Sequence, residues 1–139
     1  MVSIRFGQFG GTGDGYTPEL QVSDGHAILT ETWTPVPQRQ RPNLKVRADL
    51  SGKHWQEIQA LVDRDELFAL PDRTSCASCF DGLDELVEVK FSDHAKKSVT
   101  YAEGNTPKQL KDLVVKLKEL EEKLQSELPP GWYNLQTVK

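Results

Sequence analysis

Cys76-Ala77-Ser78-Cys79 is the sharpest chemical motif in the chain, because two intervening residues let both sulfurs reach one metal ion or close a disulfide. A structural zinc needs four ligands. The sequence supplies no second cysteine pair, only carboxylates and the scattered His26, His54 and His94. Thioredoxin-like chemistry would put the first cysteine at a helix N-terminus after a strand, where the helix dipole stabilises the thiolate. Here the pair falls in a loop after a helix and before a strand. A structural or incidental pair, disulfide included, is the plainer expectation, with metal binding or redox work through Cys76 and Cys79 as the alternative.

Other groupings offer less. Five glycines lie between Gly7 and Gly15, and closely spaced backbone N–H groups can cradle an anion. No lysine follows as in a nucleotide-binding P-loop, and the spacing does not match the dinucleotide fingerprint, so a turned or flexible loop is expected. Arg39, Arg41, Lys45 and Arg47 form a basic cluster with no acid among them. No run of aromatics interleaves with it as base stacking requires, so it reads as a solvated surface, and no nucleic acid is expected. His26 and His94 fall in turns and His54 in a first helical turn, and no motif announces a nucleophile. No catalytic residue is assigned and no cofactor is expected. Trp33, Trp55 and Trp132 read as core or edge aromatics, although Trp132 with Tyr133, beyond the last helix, could contact a partner.

The elements that must position these residues are well marked. A chain of 139 residues with 37% hydrophobic and 27% charged residues is sized for one domain with one core. The net charge of −4 argues weakly against a general nucleic-acid binder. No apolar run is long enough to cross a bilayer, so no membrane insertion is expected. Met1-Val2-Ser3-Ile4-Arg5 does not look like a signal peptide, which makes cytoplasm the default location and an envelope or secreted site the alternative if a signal has been removed.

A short first strand is expected around Ile4 to Phe6, followed by the glycine loop. Asp24-Gly25 predicts a hairpin with a type I′ turn, which sets Val22 opposite Ala27 and Leu20 opposite Leu29 on one apolar face. Pro35 to Pro42 reads as an exposed connection. Leu44 to Leu50 alternates strictly as a half-buried strand. Ser51 then caps a helix that carries Trp55, Ile58, Leu61 and Val62 and ends near Arg64. Phe68 and Leu70 are expected in the core, and Pro71 closes the segment. After a polar loop to about Asp84, Val87, Val89 and Phe91 alternate into a second hairpin at Ser92-Asp93-His94-Ala95. Its wording resembles the first turn less one glycine, as two related halves would, although a turn preference for Ser and Asp explains most of the likeness. Thr106-Pro107-Lys108-Gln109 predicts a helix start with threonine as the cap. Leu110, Leu113, Val114, Leu117, Leu120, Leu124 and Leu128 form its apolar stripe, and Pro129-Pro130-Gly131 stops it. At about 33 Å this helix would overhang the sheet.

The glycine-rich start around Phe9-Gly10, Tyr16, the Asp24-Gly25 hairpin, Leu50-Ser51, Phe68-Ala69-Leu70-Pro71 and the second hairpin running into Thr106-Pro107 together resemble a bacterial family of small domains of unknown function, often parts of envelope or secreted proteins. The resemblance covers residues 5 to 125. Members often carry cysteines in the first glycine loop, where this chain has Gln8 and Gly13. It implies a fold and no activity.

The sequence thus predicts an α+β domain over residues 1–128 with a tail at 129–139. Its antiparallel sheet should have about five to six strands, with two helices on one face, in the order ββ(β)α-ββα. The expected function is a non-catalytic binding or protein-interaction domain, docking another protein on its open sheet face, its overhanging helix or the surface near Arg39, Arg41, Trp132 and Tyr133. A monomer, or a homodimer through the last helix, is expected.

Overall fold

A computed structural model describes residues 3–10, 15–34, 43–73 and 83–128. The strands are β1 (Ser3–Gly10), β2 (Gly15–Ser23), β3 (His26–Thr34), β4 (Leu44–Asp49), β5 (Leu83–Lys90) and β6 (Lys96–Ala102). The helices are α1 (Gly52–Ala60), α2 (Arg64–Ala69) and α3 (Lys111–Gln125), the last entered through a 3-10 turn at Lys108–Leu110. All six strands join one antiparallel sheet in the order β4-β3-β2-β1-β5-β6, an α+β fold. β1 lies between the two hairpins and couples them.

Strand alternation decides which face is buried. One cross-strand row runs Ala48, Ala27, Val22, Ile4, Val89, and the next runs Val46, Leu29, Leu20, Phe6, Val87, Val99. Both rows pack under Trp55 and Ile58 of α1, Leu67 of α2 and the leucine stripe of α3 in one core. The stripe expected for the last helix is buried from Leu110 to Leu128 and therefore faces this sheet. On the opposite face Lys45, Arg47, Glu19, Gln21, Lys90 and Lys96 are exposed.

The first hairpin has the expected register, with Leu20 opposite Leu29 and Val22 opposite Ala27. Its turn is not type I′, because only Gly25 has a positive φ, 91°, while Asp24 stays in the ordinary region. In the second turn His94 adopts the left-handed conformation at φ 69°. The peptide N–H of Phe91 donates to the Ala95 carbonyl at 2.9 Å, and Asp93 Oδ1 accepts from the Ala95 N–H at 3.2 Å.

Four boundaries differ from expectation. β1 continues to Gly10, since β5 pairs with it along its whole length and holds its glycines extended. α1 ends at Ala60 rather than near Arg64, because Asp63 starts a second helix by accepting the Glu66 N–H on its side chain at 3.0 Å. Phe68 is 40% exposed and lies outside the core: its ring packs at 5.8 Å on Phe91, with the Arg64 guanidinium over both rings. Thr106 does not cap the last helix. The 3-10 turn begins at Pro107 with no side-chain cap, and α3 ends at Gln125. Ser51 does cap α1, accepting the His54 N–H at 3.1 Å.

Candidate functional site

A third cross-strand row lies beside the two apolar ones, and its chemistry is different. On the β3 side it reads Leu44, Glu31, Pro18, and on the β5 side Gln8, Glu85, Tyr101. The alternation that buries Leu29 and Val87 buries Glu31 and Glu85 two residues away. The β1–β2 ladder stops at Gly7 and Glu19, next to Pro18, which has no N–H to donate.

The second half of α3 covers this row. Lys118, Glu121 and Gln125 share one side of the helix, being three and four residues apart. Lys118 Nζ lies 3.0 Å from Oε2 of Glu85, which also accepts from Gln8 Nε2 at 3.2 Å. Gln125 Nε2 donates to Glu31 Oε1 at 3.0 Å. Glu121 sits between them within the leucine stripe. Glu31, Glu85 and Glu121 are the buried charged residues among those described, a rare placement for three carboxyl groups.

Their bonding is incomplete. Glu85 Oε1 and Glu121 Oε2 are buried with no hydrogen-bond partner, and the buried Tyr101 hydroxyl lies beside Glu85 and Thr106 without a well-aligned hydrogen bond. Burial, then the neighbouring charges of Glu31 and Glu85, pushes the Glu121 carboxyl up to about 7. Burial also raises Glu31, against the lowering effect of its bond from Gln125. The Tyr101 phenol is raised by burial and by the charge of Glu85. Glu121 can therefore release a proton near neutrality. Among the described residues no group of His, Cys, Asp and Glu is arranged to hold a metal ion.

A second feature lies on the other face. Gly7 faces outward from the middle of the sheet between Glu19 and Leu86. The missing side chain leaves a recess of about 300 Å³ walled by Arg5, Glu19, Thr17, Thr32 and Leu86. Arg5 bridges Glu19 at 3.3 Å and Glu88 at 3.1 Å, so this surface carries one cation between two carboxylates.

Of the residues singled out from sequence, Cys76, Cys79, Arg39, Arg41, Trp132 and Tyr133 lie outside the described residues. Lys45 and Arg47 are exposed on β4 at the sheet margin. His26 pairs with the Ser23 hydroxyl at 3.0 Å across the hairpin. The buried carboxylates and the Gly7 recess were not among the expected sites. No protein-family model, curated protein or solved structure matches the chain. No helix among the described residues is long and apolar enough to cross a membrane.

Proposed function

We propose that this chain is a non-catalytic protein-binding domain whose outward sheet face receives a protruding aromatic side chain of a partner, next to a basic residue. The carrying observation is the recess over Gly7. A glycine in a central strand weakens the sheet and leaves a place for another group to approach closely. The backbone of Gly7 and the side chain of Leu86 offer an aromatic ring an apolar floor, and rings fill gaps beside strand glycines well. Glu19, whose side chain is half exposed on the recess wall, offers a carboxylate to a cation beside that ring.

Gly7→Val separates binding from folding. A Cβ at position 7 meets the Pro18 carbonyl oxygen at 3.6 Å and Glu19 Cγ at 3.8 Å, ordinary contacts, so the backbone accepts a side chain there, and a urea melt checks that the variant is folded. A displayed library of random heptapeptides is selected on the wild-type protein. Enrichment of an aromatic residue beside lysine or arginine, with binding lost on Gly7→Val, supports the reading. Peptides that bind both proteins equally, or no enrichment, overturn it.

A further inference from the structure

We propose that Glu31, Glu85 and Glu121 form a pH-sensitive latch that fastens the second half of α3 to the sheet while Glu121 holds a proton and loosens it when that proton leaves. The geometry carries this. Three carboxyl groups from β3, β5 and α3 converge under one helix, and the nearby cation is Lys118. With Glu121 protonated, the two remaining carboxylates face the one ammonium of Lys118, and the single remaining excess charge is tolerable. With Glu121 ionised, two negative charges stay uncompensated beneath α3, where water screens them poorly.

The groups facing Glu121 are few. β3 contributes Glu31, β5 contributes Glu85, β6 contributes Tyr101, and α3 itself contributes Lys118 and Glu122. Tyr101 remains a neutral phenol at physiological pH, and Gln8 and Gln125 cannot titrate. Glu121 Oε2 is buried with no hydrogen-bond partner, so no donor offsets the loss of water around its charged form. α3 follows β6 and packs back on β3 and β4, so its second half depends on this row for its seat. Loosening would therefore begin there.

The sign follows from linkage. A carboxyl held above its unfolded value stabilises the fold fully below the unfolded value, and that contribution fades as pH rises through the folded value. For Glu121 the window runs from the ordinary glutamate value of 4.5 to about 7. The folding equilibrium constant then falls by about two orders of magnitude across it.

The test uses the full chain in urea at pH 5 to 8.5, with Glu121→Gln and, separately, Glu31→Gln. Amide hydrogen exchange is followed along α3, and the Glu121 carboxyl is titrated by NMR in the wild type. The latch requires stability that falls with rising pH, earlier loss of protection in Glu121–Gln125 than in β1, and a flatter profile in either glutamine variant that folds. A wild-type profile that is level from pH 5 to 8, or a Glu121 midpoint below 5.5, overturns it whether or not the variants fold.

Discussion

Lys118 places its ammonium nitrogen 3.0 Å from a carboxylate oxygen of Glu85, a residue with no exposed surface. The lysine itself keeps 41% of its side chain in solvent, so the pair joins a wet cation to a dry anion. Removing the cation leaves the anion without a charge partner. Lys118→Met should therefore destabilise the protein by about 2 kcal/mol at pH 8, less than for a fully buried pair because the lysine is half in water. At pH 5, where the cluster holds protons, the loss should shrink. Urea melts at both pH values check this, and an equal loss at each would contradict it.

Tyr101 gives the opposite expectation. Its buried hydroxyl lies beside Glu85 and Thr106 without a well-aligned hydrogen bond, so deleting it removes a desolvation cost and breaks at most a weak bond. Tyr101→Phe should match the wild type or exceed it by up to about 1 kcal/mol. A loss of stability in denaturant melts would show that the hydroxyl is bonded in solution.

His94 holds a left-handed backbone that costs a non-glycine residue about 1–2 kcal/mol, partly offset because glycine is freer in the unfolded chain. His94→Gly should raise stability by about 0.5 kcal/mol with the second hairpin unchanged. Thermal and urea melts measure the gain, and a decrease would mean that the imidazole makes contacts that outweigh the strain.

Two substitutions in α3 test which of its faces is buried. Leu117 has no exposed surface, whereas Val115 is 56% exposed. Leu117→Ala should cost about 3 kcal/mol through lost burial and the cavity left behind. Val115→Ala should stay within about 0.5 kcal/mol of the wild type. Similar losses at both positions would place the helix in a different rotation.

Much of the fold was legible because local pattern and burial agree. The Asp24-Gly25 turn fixed which residues of β2 and β3 face each other, the alternation in β4 marked its buried side, and the α3 leucines gave their stripe. The buried carboxylates were harder to see because their residue type suggests water. Continuing the hairpin register one step past Leu20 and Leu29 sets Pro18 opposite Glu31 on the core face, and stepping back from Val87 gives Glu85. Glu121 follows Leu117 by one helical turn on the same stripe. Glu31 and Glu85 stand at the ends of apolar alternations, and Glu121 interrupts a leucine stripe that resumes at Leu124. Only the crossing of α3 over β3 and β5 brings the three together, and a crossing angle is not written in any local stretch. The Gly7 recess was hidden for a related reason: a glycine-rich run reads as loop until a neighbouring strand pairs with it.

The two margins of the sheet are unequal. Along β6 the Thr100 N–H donates to the Asp72 carbonyl at 2.8 Å and Arg73 forms a parallel bridge with Thr100, so part of that rim already has a tenant from its own chain. β4 has β3 on one side, and its far rim is fringed by Lys45 and Arg47. Open-ended stacking of copies needs two receptive rims per molecule. With β6 partly covered at Thr100, copies that met rim to rim through β4 would find, among the described residues, a shorter second rim on which to extend.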